Sequence, residues 1–127
     1  MTGAPTTSTV TPPDAHNRAL LGHVRPSDWV NPTPAAQYHL VVVGAGTAGL
    51  IAASFAAGAG ARVALVERHL MGGDCLNTGC IPSKSVIRSA RSFGALKAGT
   101  QLGWHIPAGA HADFGAVMER MRHVRAR

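Results

Sequence analysis

Two short apolar runs flank a stretch of glycine and alanine in the middle of the chain. The first run lies in a predicted strand from Tyr38 to Val43, and the second, Val63 to Val66, lies in a predicted strand from Arg62 to Glu67. Continuous apolar runs of this length, rich in valine, are typical of parallel strands covered on both faces. Ala48 to Ala57 is small and apolar on nearly every side, which predicts a helix packed closely on that sheet, and Gly58 and Gly60 follow its end. The pattern predicts a βαβ unit.

Two further segments have apolar residues at helical spacing. One is Ser83 to Lys97, and the other begins at Asp113, which we interpret as an N-cap residue, and continues to the end of the chain. Glycine and proline break residues 99–112 into a loop. The last helix carries four arginines opposite its apolar stripe, and we expect them to form a solvated face: Arg120, Arg122, Arg125 and Arg127.

Residues 1–36 are rich in threonine and proline and have no sustained period. They predict an extended or disordered N-terminal arm, which leaves residues 37–127 for the folded part. An alternative is a short helix over His16 to Val24, with Trp29 and Val30 anchoring the arm.

Composition narrows the class of protein. The chain has 127 residues, a net charge of +6 and two cysteines, which fits one cytoplasmic domain rather than a secreted disulfide scaffold. Neither a nucleic-acid-reading motif nor a signal peptide is recognisable, so nucleic acid is not an expected partner. Leu40 to Val66 is long and nearly uncharged, but its glycines interrupt it, and we expect no membrane span.

The first strand runs directly into a glycine fingerprint. Gly44, Gly46 and Gly49 match G-x-G-x-x-G between a strand and a helix, the context in which this pattern binds a dinucleotide. Gly44 allows the tight turn, Gly46 lets the backbone approach a pyrophosphate, and Gly49 lets helix and strand pack closely. Thr47 and Ala48 open the helix, whose N-terminal amides and partial positive charge attract phosphate.

An acidic residue ends the second strand. Glu67 stands where a carboxylate can accept the hydroxyls of an adenosine ribose, and it would repel a 2′-phosphate. The simpler interpretation is a surface charge followed by Arg68. These residues predict a dinucleotide site at which Gly44, Gly46, Thr47, Ala48, Gly49, Glu67 and Arg68 are candidate contacts, without separating FAD from NAD.

The two cysteines are five positions apart, at Cys75 and Cys80. Gly79 provides the backbone freedom for them to close a disulfide, and a helix starting near Ile81 would stabilise a thiolate there, with Lys84 adding positive charge. A zinc site would need further ligands that the spacing does not supply, although His69 is a candidate third ligand. A pair of inert buried thiols fits poorly with the Gly-, Asn- and Thr-rich surroundings.

The run from Gly72 to Lys84 closely resembles the signature of the class I pyridine nucleotide–disulfide oxidoreductases. That family includes dihydrolipoamide dehydrogenase, glutathione reductase and mercuric reductase, and the glycine fingerprint lies upstream at the family's usual distance. The phrase Gly-Asp-Cys-Leu-Asn-Thr-Gly-Cys-Ile-Pro-Ser-Lys looks most like the mercuric-reductase branch. The resemblance implies an α/β fold, namely a Rossmann-like FAD-binding domain of which this chain holds the N-terminal βαβ half and the following helices.

The resemblance also implies roles for individual residues. Cys80 would lie next to the flavin of FAD as the charge-transfer thiolate, and Cys75 would exchange with the substrate. Lys84 would lie near the flavin, and Gly73 along the cofactor. Asp74 departs from the family pattern, in which threonine is frequent, and a carboxylate near the pyrophosphate would be repulsive.

The second half of such an enzyme is not recognisable in this sequence. Neither a second glycine fingerprint for NAD(P)H nor a His–Glu acid/base pair follows, so we expect an N-terminal fragment, inactive alone, of an NAD(P)H-dependent homodimer. Mercuric ion is the substrate that the resemblance favours, with a disulfide such as lipoamide as the alternative. A plain NAD-dependent dehydrogenase and an inactive FAD-binding fragment are the competing classes.

Overall fold

The computed structural model describes residues 10–127, so the first nine residues of the predicted arm lie outside the described residues. The elements, in chain order, are α1 (Ala15–Val24), β1 (Leu40–Val43), α2 (Thr47–Gly58), β2 (Val63–Val66), α3 (Gly73–Asn77), α4 (Cys80–Ala98), a 3-10 helix (Gly99–Leu102) and α5 (Phe114–Arg125). They form two compact units, the first reaching Gly73 and the second running from Asp74 to Arg125. The division that the sequence predicts, at residues 1–36 and 37–127, stays a prediction.

The first unit contains the predicted βαβ arrangement. β1 and β2 pair in parallel, with Leu40 opposite Val63 and Val43 opposite Val66. Helix α2 connects the strands and packs on both of them. The fold class is therefore the α/β, Rossmann-like arrangement that the sequence predicts, and the apolar runs and the alanine-rich segment form the expected elements.

The expectation that both faces of the strands are covered is wrong for the described residues. Side chains alternate along a strand, and α2 lies on the face of Leu40 and Val42, since a Cβ at position 49 would come within 3.2 Å of the Val42 side chain. Val41 and Val43 point to the other face, where Val43 is 85% exposed. A continuous apolar run therefore marks a strand that can be buried on both sides, whether or not a second layer is described.

Part of the predicted arm is a packed helix. α1 begins after Asp14, whose side chain accepts the Asn17 N–H at 2.8 Å and so caps the helix. Leu20 and Val24 are buried on it, whereas Trp29 and Val30 are exposed. The extended arm is thus wrong for α1, the alternative helix is correct, and the anchor lies in the helix rather than at Trp29.

The second unit is helical. α4 packs against α5, and Asp113 caps α5 by accepting the Ala116 N–H at 3.0 Å, as the sequence predicts. The solvated face that we expect is present in part, since Arg120 and Arg127 are exposed whereas Arg122 and Arg125 are partly buried. Arg120 donates to the hydroxyl of Ser85 at 2.9 Å, and Arg125 donates to the carbonyl of Asn77 at 2.7 Å. Among residues 10–127, no helix combines the length and apolar composition of a membrane crossing.

Candidate functional site

The glycine turn joins β1 to α2 with a backbone contact that leaves no room for a side chain at position 49. Gly44 has φ of +104°, and its N–H donates to the Val66 carbonyl at 2.7 Å. A Cβ at position 49 would overlap the Gly44 carbonyl oxygen. The first turn of α2 therefore lies directly against the end of β1, which is the close helix–strand approach that a third fingerprint glycine permits.

The start of α2 offers backbone donors. Its first helical hydrogen bond runs from the Leu50 N–H to the Gly46 carbonyl at 2.9 Å, so the amides of Thr47 and Ala48 precede the helical ladder. Gly46 is the N-cap residue and has no side chain that could accept from them. Thr47 and Ala48 are exposed. A helix of twelve residues with open N-terminal amides suits an anionic group such as a diphosphate.

The Glu67 carboxylate bonds to the turn. One oxygen accepts the Ala45 N–H and the other accepts the His69 N–H, both at 2.8 Å. These two bonds, the Ala45 bond first, hold the pKa of Glu67 below its ordinary value, against a smaller effect of desolvation that acts to raise it. The Arg68 N–H also lowers this pKa, by less than desolvation raises it.

The segment Gly72–Gly73 contacts the backbone of the glycine turn. Gly72 donates to the Ala45 carbonyl at 2.8 Å. Gly73 has φ of +58°, and a Cβ on it would come within 2.7 Å of the Gly46 Cα. The predicted contact residue Gly73 is thus brought together with the fingerprint at Gly46, while Arg68 is exposed.

The cysteines of the second unit form the predicted disulfide. Cys75 lies in the short helix α3, Cys80 is the first residue of α4, and their Cα atoms are 4.4 Å apart. Placing a cysteine at the start of a 19-residue helix exposes its sulfur to the positive end of the helix dipole.

The loop between the cysteines is fixed by the Asp74 carbonyl. That oxygen accepts the N–H of Thr78 at 3.0 Å and of Gly79 at 2.5 Å, and a Cβ at position 79 would lie 2.9 Å from it. The Asp74 carboxylate receives the Thr78 hydroxyl at 3.4 Å. The residue that departs from the family pattern therefore has a local role in the turn.

Lys84 lies one turn into α4 and is exposed. No group of three or more His, Cys, Asp or Glu side chains within residues 10–127 is arranged to hold a metal ion. Because Cys75 and Cys80 form a disulfide, neither sulfur is a thiolate that could bind a metal ion.

The geometry agrees with the match to known proteins. Residues 38–125 match the model of the family described as pyridine nucleotide-disulphide oxidoreductase. The chain belongs to this family. The match spans both the glycine turn and the disulfide.

Several relatives share the name dihydrolipoyl dehydrogenase. The protein of Acholeplasma laidlawii is 39% identical over 84 residues, which is 66% of this chain and 25% of that protein. The Bacillus subtilis (strain 168) protein is 40% identical over 90 residues, 71% of this chain and 19% of that protein. The Rhizobium etli protein is 39% identical over 93 residues, 73% of this chain and 19% of that protein. The matched segment of the chain spans 19–25% of these relatives' lengths.

The sequence did not indicate Ala45 and Gly72 as residues that contact each other at the site. Ala45, the variable position of the fingerprint, is fully buried and bonds through its N–H to Glu67 and through its carbonyl to Gly72. Backbone bonding of this kind leaves no mark on residue type. The only signal available is that both residues are small enough for close packing.

Proposed function

We propose that the chain is the FAD- and disulfide-bearing part of a flavin-dependent disulfide oxidoreductase of the dihydrolipoyl dehydrogenase kind. The relatives carry that name, which favours the lipoamide alternative over mercuric ion. The observation that carries the proposal is the presence in one chain of a sterically closed glycine turn and a Cys75–Cys80 disulfide at the start of α4. The electron donor or acceptor is NAD(P)H in a homodimeric whole protein.

The residues of the first unit fit FAD. The open amides of Thr47 and Ala48 would hold the diphosphate, Gly46 and Gly73 leave its approach free of side chains, and Glu67 would accept ribose hydroxyls. Bound FAD would supply two-electron transfer between a nicotinamide and the cysteine pair. The carboxylate of Glu67 disfavours a 2′-phosphate by charge repulsion.

The cysteines divide the exchange with the substrate. A substrate thiolate attacks the Cys75 sulfur, which forms a mixed disulfide while the bond to Cys80 breaks and Cys80 leaves as a thiolate. The second substrate thiolate then attacks the substrate sulfur of the mixed disulfide, which closes the substrate disulfide and releases Cys75 as a thiolate. The dithiol has lost two electrons, which the cysteine pair has gained, and the reverse sequence reduces a disulfide. The N-terminus of α4 stabilises the Cys80 thiolate.

A trapping experiment tests these roles. The chain and its Cys75→Ser and Cys80→Ser variants are reduced, separated from the reductant and then incubated with the disulfide of a monothiol, because the thiol that it releases cannot close a ring and expel the cysteine. Adducts are measured by intact mass. We expect a stable mixed disulfide on Cys75 in Cys80→Ser and a much weaker one on Cys80 in Cys75→Ser. Equal adducts in both variants would contradict the assignment of Cys75 to the substrate.

Titration with FAD tests the cofactor. We expect the chain to quench flavin fluorescence, and after reduction a long-wavelength thiolate–flavin band should remain in Cys75→Ser but vanish in Cys80→Ser. Tight NAD binding without FAD binding would instead support a plain dehydrogenase. FAD binding in which the band and the cysteine exchange are both absent would support the inactive FAD-binding fragment.

A further inference from the structure

Helix α1 precedes the family match and packs within the first unit. Asn17 and Leu20, three positions apart, are 1% and 2% exposed, and Val24 is buried one turn later. The side-chain amide of Asn17 donates to the Pro12 carbonyl at 2.7 Å, so the chain just before α1 is fixed as well. A ten-residue helix is marginal alone, so this buried face is what keeps it in place.

The last turn of α1 bonds to the loop that contacts the glycine turn. The Val24 carbonyl is one of the helix-terminal carbonyls without an intrahelical partner, and it accepts the Met71 N–H at 3.2 Å. Arg25 reaches the His69 carbonyl at 3.5 Å. Leu70, which lies between His69 and Met71 in the sequence, is buried.

Two consecutive amides of that loop donate to two different elements. Met71 donates to α1 through Val24, and Gly72 donates to the Ala45 carbonyl in the glycine turn at 2.8 Å. Gly73 then lies against the Gly46 backbone. The segment Met71–Gly73 is therefore held between α1 on one side and the turn on the other.

We propose that α1 is a positioning element for the dinucleotide turn, acting through Met71–Gly73 on the backbone that holds the cofactor's diphosphate. This inference rests on the proposed function for the identity of the ligand. With α1 undocked, the Met71 N–H loses the Val24 carbonyl, and the loop is held less firmly against Ala45 and Gly46. The affinity for a dinucleotide falls because the site must then be ordered upon binding.

The test uses two substitutions on the same helix. Leu20→Asp places a charge at the buried position, and Ala19→Asp places it at the adjacent exposed position. We expect Leu20→Asp to raise the Kd for both FAD and ADP about tenfold, equivalent to about 1.4 kcal/mol, and Ala19→Asp to change neither by more than about twofold. A Leu20→Met variant should keep the affinity of the unchanged chain, because methionine conserves the apolar volume of leucine.

ADP separates this role from a general effect, since it carries the adenosine diphosphate without the flavin. A Leu20→Asp variant that keeps its circular dichroism spectrum but binds both ligands normally would overturn the proposal, as would loss of FAD binding with unchanged ADP binding. If Leu20→Asp loses its helical signal, Leu20→Ala replaces it under the same criteria.

Hydrogen exchange provides a readout that needs no cofactor. The Met71 and Gly72 amides should exchange about tenfold faster in Leu20→Asp than in Ala19→Asp, because α1 no longer fixes the loop. Unchanged exchange would overturn the inference by itself. If the unchanged chain binds neither FAD nor ADP, the proposed function and the ligand role of α1 both fail, while exchange still decides whether α1 orders the loop.

Discussion

The glycine turn of the first unit and the helix pair of the second are built by opposite means. The turn depends on missing side chains, because a Cβ at position 49 would overlap the Gly44 carbonyl and one at position 73 would approach Gly46. The helix pair depends on long side chains, since Arg120 spans from α5 to Ser85 of α4. Steric closure tolerates almost no substitution, whereas a hydrogen-bonded arginine is lost at moderate cost.

The strongest test of this contrast is Gly49→Ala. The added Cβ meets immovable backbone at Gly44, so we expect a loss of about 3 kcal/mol or more in stability together with loss of FAD binding. Gly58→Ala, in the same helix with open space around it, should be stabilising by up to about 1 kcal/mol. Urea unfolding followed by circular dichroism measures both. Similar stability of the two variants would refute the close approach.

Gly73→Ala separates backbone strain from close approach. We expect a loss of about 2–3 kcal/mol, because alanine is strained at positive φ and its Cβ would press on the Gly46 backbone. Gly60→Ala provides the control, since Gly60 has φ of +87° with nothing nearby, and should lose only about 1–2 kcal/mol. The comparison of urea midpoints isolates the contact, and equal losses would show that it contributes nothing.

In the second unit, Arg120→Met should have a smaller effect. It removes the hydrogen bonds to the hydroxyl and carbonyl of Ser85 but keeps the apolar stem, so we expect a loss of about 1–2 kcal/mol. Arg91→Met alters an exposed arginine of α4 and should change stability by less than about 0.5 kcal/mol. Coincident thermal melts of the two variants would show that the hydrogen bonds from Arg120 to Ser85 contribute nothing to stability.

The smallest effect concerns Glu67 and depends on pH. Its pKa is lowered in the folded chain, so its contribution is fully present above the unfolded pKa near 4.5 and is lost as pH falls through the lower folded pKa. Glu67→Gln should lose about 1 kcal/mol at pH 7, and the difference should shrink toward pH 3. Asp28→Asn, at an exposed carboxylate of the same unit, controls for charge. A Glu67→Gln deficit that persists unchanged at pH 3 would argue against the charged hydrogen bonds.

The amino-acid sequence by itself determined the βαβ order, the glycine turn, the cysteine pair and the N-cap of α5, because each depends on neighbouring segments or on residues within a few positions of one another. A glycine between strand and helix and an aspartate before a helix have steric or hydrogen-bonding meaning without knowledge of the rest of the chain. The close resemblance to the family rests on the same short segments.

Tertiary structure alone decided which surfaces and backbone groups meet. The partners of Ala45 are Glu67 and Gly72, the Val24 carbonyl receives Met71, and Arg120 reaches Ser85. These pairs are more than 20 positions apart, and many use backbone atoms that every residue possesses, so no residue pattern records them. The burial of α1 and the exposure of Val43 follow from what packs on them, which is a property of the fold rather than of the segment.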